Sequence, residues 1–399
     1  MSNLNLGRDL YLKGRIGWRG LSKDEYLSVS DYRIINATAL MDGFVDWDNC
    51  GYISKERYDE SPEIMLQEGD LLISKDGTLG KIGYVKGITK PCTVASGIFV
   101  LRNTIPDVLN FDYLYHVLKS HIFKGFIARN QALGSTISHL YQSDLENFEM
   151  ELPSLDDQEL IASVLNTIDA KIANNNAICS NLEAMAKLLY DYWFVQFDFP
   201  DENGNPYKSS GGKMVWNDEL KREIPAGWEV KPLDNIITES SKSTVQVNGA
   251  KVDGIYPFFT SGSAILAYDQ YFVDGFHCFL NTGGNPDIKG YKGKCAYSTD
   301  TWCIDAGKYS YFMYQYFMLI MPQFEQLFFA GSGLKHLQKD ALKKQCVVLP
   351  SDEVIGEFND VLDDLWDKRT ECFLENQQLA SFRDFLLPML MNGQVKVGA

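Results

Sequence analysis

No two of the chain's eight cysteines stand in a Cys-x-x-Cys pair, and none has a histidine at metal-ligand spacing. That argues against a structural zinc site and a disulfide framework, and fits a reducing compartment. No run approaches the ~18 apolar residues that span a bilayer. The stretch 309–321 is too short and too aromatic, and the first twelve residues lack the apolar core of a signal peptide. The expectation is a cytoplasmic protein that does not enter a membrane. Nucleotide-loop spacing is also missing: Gly77-Thr78-Leu79-Gly80-Lys81 and Gly290-Tyr291-Lys292-Gly293-Lys294 do not fit it. There is no Asp/Asn-Pro-Pro-aromatic run of the kind amino-methylating enzymes carry. A nuclease-like set can only be forced, from Pro200-Asp201 and Glu229-Val230-Lys231, and Asp201 opens a loop where paired carboxylates would need adjacent strands. The histidines His116, His121 and His277 read as structural. No catalytic residue, metal site or cofactor is expected on this chain.

Positive charge is scarce, and its scarcity is local. Residues 154–203 hold two bases against nine acids, and residues 352–391 three against ten, so these two stretches carry −14 of the net −16. The remainder is close to neutral, which leaves room there for a nucleic-acid surface that the total would disfavour. The 399 residues, 45% hydrophobic, supply cores for two or three domains.

What is present is said twice. Gly134-Ser135, His139-Leu140, Leu145 and Leu152-Pro153-Ser154 return as Gly331-Ser332, His336-Leu337, Leu342 and Leu349-Pro350-Ser351, always 197 residues later. So long a period marks a duplicated domain, since solenoid repeats run ~20–50 residues. Each copy leads into a helical pattern of five heptads. Its a positions are Ile161, Ile168, Asn175, Leu182 and Leu189, then Phe358, Leu365, Cys372, Leu379 and Leu386. The d positions are Val164, Lys171, Ile178, Met185 and Tyr192, then Val361, Lys368, Glu375, Phe382 and Met389. Such spacing predicts a coiled-coil seam, with the polar Asn175 setting register. Each helix would run ~50–55 Å at 1.5 Å per residue, the second ending at Pro388, and two in one chain pack most simply antiparallel. The competing reading is two amphipathic helices lying on their own domains, and the apolar Leu165 and Ile172 leave it open.

The globular parts mix short β runs (71–74, 81–85, 98–101; 258–260, 278–281, 295–298) with helices over 114–127 and 310–329. The chain is therefore expected to be α+β: two globular domains and two long antiparallel helices with an internal pseudo-two-fold repeat. The expected boundaries are 1–151 for the first domain, 152–199 for the first helical region, 200–350 for a linker and second domain, and 351–399 for the second helical region. The stretch 198–212, rich in Gly, Asn, Ser and Pro, reads as an exposed loop.

The candidate binding residues lie on Gly-rich and basic loops, where backbone N–H groups can approach phosphates and polar side chains can reach base edges. In the first domain these are Lys13, Arg15, Trp18, Arg19, Lys75, Gly77, Thr78 and Lys81. In the second they are Thr260, Ser261, Ser263, Asn281, Thr282, Asn285, Lys289 and Lys292. The run Ser74–Gly83 has its approximate counterpart in Asn281–Lys292. Ordinary turn chemistry accounts for any one of them equally well.

The order of parts resembles the specificity subunit of type I restriction–modification enzymes. The resemblance rests on Gly-Ser-x-x-x-His-Leu before Leu-Pro-Ser, on Asp157-Gln158-Glu159 with Ile161-Ala162, Leu165, Asp169 and Ile172, and on Tyr192-Trp193-Phe194-Val195-Gln196-Phe197. It also rests on Ile224-Pro225-x-Gly227-Trp228 and on Glu68-Gly69-Asp70-Leu71-Leu72-Ile73-Ser74-Lys75-Asp76-Gly77. It spans essentially the whole chain and is most specific over 152–233. It departs at Val354-Ile355, where Gln-Glu is absent, and at the N-terminus, which has no Pro-x-Gly-Trp lead-in. That departure raises the question of whether C-terminal residues 392–399 complete the first domain's edge.

The resemblance implies two target-recognition domains, each reading half of a bipartite double-stranded DNA site. It further implies an antiparallel coiled coil that spaces them and docks two methyltransferase subunits, with restriction–translocation subunits joining. The chain itself would be non-catalytic, and S-adenosylmethionine, ATP and Mg²⁺ would belong to the partners. Two rivals stand beside this: a single-chain nuclease or methyltransferase, and a two-headed protein–protein scaffold that never touches DNA.

Overall fold

The computed structural model describes residues 2–15, 20–41, 43–130, 139–251, 253–391 and 394–395. It is a mixed α/β structure with five principal helices: α1 (Phe111–Lys119), α2 (His121–Asn130), α3 (Leu155–Tyr190), α4 (Ser310–Phe328) and α5 (Asp352–Met391). The repeated Leu-Pro-Ser supplies the start of both long helices. Ser154 Oγ accepts the Asp157 N–H at 3.2 Å and Ser351 Oγ the Val354 N–H at 3.4 Å. Each cap contributes about 1 kcal/mol. One helix expected over 114–127 is two, broken at Ser120, whose hydroxyl turns back to the Val117 carbonyl at 2.6 Å. Pro388 lies inside α5 rather than ending it. So near the terminus it removes one backbone bond and leaves the last turn otherwise intact.

The chain divides into two compact units, residues 1–172 with 377–399, and residues 173–376. Each long helix is therefore shared, one half built into each unit.

In the first unit a sheet runs in the order Tyr11–Gly14, Ile98–Arg102, Leu71–Ser74, Ile82–Tyr84, Phe44–Val45 and Leu40–Met41. A second sheet has Tyr32–Ile35 at its centre, antiparallel to Gly51–Ile53 and parallel to Cys92–Val94. The edge strand Ser2–Asn5 pairs antiparallel with Glu149–Leu152. One core fills the face under α1, α2 and the ends of the long helices, with Leu71, Ile73, Phe99, Tyr113, Leu165, Leu387 and Leu390. Leu72, Val94, Ile98 and Val100 form another on the opposite side. The alternation along Leu71–Ser74 and Ile98–Arg102 thus feeds two cores, which is why both strands read as unbroken apolar runs.

The second unit repeats that plan with different residues. Phe276–Asn281 lies between Thr301–Asp305 and Ile288–Lys292, and Thr238–Glu239 takes the place of Tyr11–Gly14. Tyr256–Phe259 is again antiparallel to one strand, Ile265–Tyr268, and parallel to another, Ala296–Tyr297. Glu229–Pro232 pairs with Cys346–Leu349, as Ser2–Asn5 does with Glu149–Leu152. The first unit's edge is thus completed by its own N-terminal strand; of residues 392–399, only 394 and 395 are described.

The stretch 198–212 is not simply exposed. Phe199 stacks on Tyr207 and Trp228 at 4.6 and 5.0 Å between ring centres, and Asp201 Oδ1 accepts the N–H groups of Asn203 and Asn205. Trp366 of α5 is fully buried, 4.6 Å from Phe276 and 5.2 Å from Tyr314. Gly290 makes room for it: a Cβ there would lie 2.9 Å from both the Trp366 and Tyr314 rings.

Within each unit the two long helices run antiparallel. In the first, Arg383 Nη1 meets Asp169 at 2.6 Å; in the second, Arg369 meets Glu183 at 2.5 Å, and Asn175 Nδ2 reaches Glu375 and Asn376 at 2.7 and 2.9 Å. All ten a residues are buried or half-buried. The d positions depart from the heptad pattern: Met185, Tyr192, Val361 and Phe382 are exposed. The inward companions lie four residues after a, at Leu165, Ala186, Trp193, Leu362 and Leu390. Straight helices of 3.6 residues per turn, each covered by its own globular unit as well as by its neighbour, bury a broader a/e stripe than a strict heptad.

Around Asp169 a polar cluster fastens helix to domain. Lys119 reaches it at 3.0 Å, and the His116 ring bonds Asn166 Oδ1 at 2.9 Å. Burial holds the His116 imidazole below its usual value, against the opposing pull of Asn166 and Asp169. A depressed folded-state pKa means stability that is present above the unfolded value of about 6.5 and is lost as pH falls through the folded one. The first unit should therefore weaken as pH falls below about 6.5, with a slope of at most ~1.4 kcal/mol per pH unit from this group. Denaturant melts of the wild type and His116→Gln would check it; equal slopes would contradict the assignment.

Candidate nucleic-acid interface

The Gly-rich loop of each unit is tied by the same two backbone bonds. In the first unit Lys75 donates its N–H to the Gly97 carbonyl at 2.8 Å and accepts the Leu140 N–H at 3.0 Å. In the second, Thr282 donates to the Asp300 carbonyl at 3.1 Å and accepts the Leu337 N–H at 3.1 Å. The neighbouring strand repeats as well, Ala95 bonding Ile35 and Ser298 bonding Phe259, both at 2.8 Å. The duplicated His-Leu step is therefore a clasp on the Gly-rich loop. Bridges Asp76–His139 and Gly283–His336 occupy matching places.

Beyond the clasp the first unit's chain turns through Gly77 and Gly80 at φ +68° and +72°, conformations that L side chains rarely adopt. Ser74 Oγ closes the turn, donating to the Thr78 carbonyl at 2.5 Å and accepting the Lys81 N–H at 2.9 Å. Ile127 of α2 packs directly over Gly80. Asp76 pairs with the His139 ring. Gly77 and Thr78 stand exposed, whereas Lys75 is half-buried with its ammonium 4.8 Å above the Phe99 ring. Burial pushes that ammonium's pKa down, with Asp76 opposing.

In the second unit two loops that are far apart in sequence converge. Asn281 Nδ2 donates to the Ser261 carbonyl at 2.7 Å and to the Asn285 carbonyl at 3.1 Å. Thr282 Oγ1 donates to Asp300 O at 2.8 Å, Ser261 Oγ bonds the same carbonyl, and Thr260 Oγ1 donates to Ala264 O at 3.2 Å. These hydroxyls and the amide nitrogen are committed to holding the loops. Of the expected binding residues on these loops, Ser263 and Asn285 are exposed with side chains that make no hydrogen bond.

Several expected contacts are placed differently. Arg15 is only 2% exposed; its Nε donates to the Val94 carbonyl at 3.1 Å and Nη1 to Ser61 Oγ at 3.4 Å. Burial lowers its pKa. It fastens strand to loop and presents nothing to a base edge. Lys292 is held by Asp363 and Asp367 of α5 at 2.8 and 2.5 Å, because Ile288–Lys292 packs against that helix. Lys289 is paired with Asp287 at 2.5 Å and reaches the Thr260 carbonyl at 3.3 Å, another internal tie. Lys13 is exposed on its strand, 5.9 Å from the Tyr11 ring. Trp18 and Arg19, and the Gly134-Ser135 step, lie outside the described residues.

One segment was not singled out. Ser240–Val245 leaves the strand equivalent to Tyr11–Gly14, and Val245 accepts the Thr299 N–H at 2.9 Å beside the second unit's loops. It carries the exposed Lys242, and the Ser-Ser-Lys-Ser-Thr run was its sequence signal. Lys13, Lys81, Lys124, Arg129 and Lys242 are among the described bases that have no ion pair. No group of three or more potential metal ligands occurs among the described residues, nor any helix long and apolar enough to cross a membrane.

Residues 17–184 match the type I restriction modification DNA specificity domain. The MjaIX specificity subunit of Methanocaldococcus jannaschii is 26% identical over 84% of this chain and 81% of its own length. The HindI specificity subunit of Haemophilus influenzae is 22% identical over 83% and 87%. Among solved structures, the type I S subunit from M. genitalium superposes with a TM-score of 0.55 at 16% identity, covering 98% of this chain and 96% of that one. The last is a likeness of fold. Residues 17–184 thus match the DNA specificity domain of type I restriction–modification systems, and over most of its length the chain is similar in sequence to type I specificity subunits.

Proposed function

We propose that this chain is the DNA sequence-specificity subunit of a type I restriction–modification complex and reads a split double-stranded target, one half per unit. The observation that carries the reading is the doubled clasp: one backbone framework, built twice, presenting different side chains. That is the construction expected of two readers of two different half-sites. The chain is the non-catalytic component; S-adenosylmethionine, ATP and Mg²⁺ would be held by the methyltransferase and restriction subunits. The paired long helices would act as an antiparallel coiled-coil spacer, with their acidic surfaces kept off the phosphates, where like charge would oppose binding. The unpaired bases near the loops would meet the DNA backbone.

Docking of methyltransferase would use apolar faces that the chain leaves bare. Met185 and Leu188 form one exposed stripe near the end of α3, with Tyr192 exposed in the π-helical turn Asp191–Val195 that follows, and Phe382 and Phe385 repeat the pair on α5 at the same 197-residue offset, where Met389 is half-buried. The i, i+3 spacing puts each pair on one helical face, and each unit owns one stripe. Two equal stripes suit two copies of one partner. The same stripes suit the protein-scaffold rival, so DNA must decide.

Selection of random duplexes by the chain assembled with its methyltransferase should enrich two sequence blocks at a constant gap. A pool without blocks would favour the scaffold. Lys81→Ala should weaken binding to all sequences alike and reduce the salt slope by about 0.9, one phosphate contact. An unchanged slope would remove Lys81 from the interface.

A further inference from the structure

Beyond the clasp a short turn stands out in each unit: Gly77-Thr78 in the first and its counterpart Gly284-Asn285 in the second, where the Gly284 N–H is still tied to the Lys335 carbonyl at 3.1 Å. We infer that these two turns are the specificity-determining segments of their units, each entering a groove of one DNA half-site and presenting one free polar side chain, Thr78 or Asn285. The inference rests on the DNA-reading function above and goes further by naming where the reading occurs.

Several independent observations point to these turns. First, the space beside their glycines is open. A Cβ built on Gly77 or on Gly284 would meet no atom within 4 Å, so neither glycine is there to make room for packing. Their φ values of +68° and +80° explain glycine by conformation. Glycine also leaves the main chain able to approach a base edge or a phosphate closely.

Second, most neighbouring polar groups are already engaged. In the second unit Thr260, Ser261, Asn281 Nδ2, Thr282 and Lys289 are occupied by bonds within the protein, while Ser263 on the converging loop stays free beside Asn285. In the first unit Ser74, Asp76 and Lys75 are likewise engaged, with a carbonyl, a histidine and an aromatic ring. Thr78 and Asn285 are exposed, and neither side chain makes an internal hydrogen bond.

Third, the turns are held from both sides. The loop strand feeds in from the sheet, and the His-Leu clasp pins the first residue after it. In the first unit Ile127 of α2 also bears on Gly80. A protruding segment fixed in this way keeps one attitude before DNA arrives, and pre-ordering is what makes a single side chain discriminate. The clasp is invariant between the units while the side chains beyond it differ, Asp76-Gly77-Thr78 against Gly283-Gly284-Asn285. Thr78 offers a hydroxyl that can donate or accept. Asn285 offers the amide pair that matches the N6 and N7 positions of adenine.

The test uses the full chain assembled with its methyltransferase, reading methylated sequences in cells for the wild type, Thr78→Ala and Asn285→Ala. Both substitutions fall on exposed side chains without internal bonds, and recovery of the intact complex by affinity capture reports folding. The expected result is loss of discrimination by about 10- to 100-fold at one base pair in one half of the motif. The other half and the gap should stay unchanged, and the two variants should affect opposite halves. A split wild-type motif that neither variant alters would overturn the inference and leave the function standing. A wild-type complex that reads no split motif would overturn both.

Discussion

Trp366→Ala is expected to destabilise the second unit by about 3–5 kcal/mol, the usual cost of emptying a large buried aromatic site. Trp366 is the point at which α5 enters that unit's core, enclosed by Phe276, Tyr311 and Tyr314. Arg369 covers the ring, its guanidinium carbon 4.6 Å from the ring centre. Because Gly290 admits the indole to the strand surface, no neighbouring side chain stands ready to fill the space. Polar partners would be loosened too, since Arg369 also donates to the Gly290 carbonyl at 3.2 Å and Thr370 to the Lys292 carbonyl at 2.8 Å. Denaturant unfolding should show an early transition belonging to residues 173–376, resolved by hydrogen exchange. Trp366→Phe, which keeps most of the apolar volume, should recover much of the loss. A variant as stable as the wild type would mean that α5 is not an integral part of this unit.

The second large effect concerns the bare helix faces. Leu188 and Phe385 are 68% and 62% exposed, too exposed for their replacement by Glu to disturb either core. Buried apolar anchors dominate interface energies, each contributing ~2–4 kcal/mol, so a charge at the centre of a stripe should weaken docking by 100-fold or more. Met185→Glu with Leu188→Glu should leave a complex with one methyltransferase instead of two. Phe382→Glu with Phe385→Glu should do the same, and the four together should abolish assembly. Mass photometry of the purified complexes reads this directly. Two methyltransferases retained by the fourfold variant would place docking elsewhere.

The duplication was legible because its markers do structural work in both copies. Ser154 and Ser351 cap helices, and His139-Leu140 and His336-Leu337 clasp loops, so neither pair could drift from its 197-residue offset without loss. The Gly-rich loops were harder to align. Ser74 and Asn281 stand 207 residues apart, so ten extra residues separate the loop from the clasp in the first unit. The hydrogen bonds of Lys75 and Thr282 turn the approximate match of Ser74–Gly83 with Asn281–Lys292 into a residue-by-residue one.

Candidate binding residues were overcalled where charge was taken for exposure. Arg15, Lys289 and Lys292 are polar ties inside the fold, and nothing in their local sequence separates such a tie from a surface contact. The a positions of the long helices were visible, while the d positions were misleading. Met185 and Phe382 are apolar at heptad spacing, and both face away from the chain's own cores. Their hydrophobic character fits a partner better than a seam, a distinction that periodicity alone does not make.

The most direct measurement is a long-read methylome of cells carrying the methyltransferase gene with and without this chain. The account predicts N6-methyladenine in a two-part motif with a fixed gap, gained only when the chain is present. An active methyltransferase that gains no such motif from the chain would contradict it.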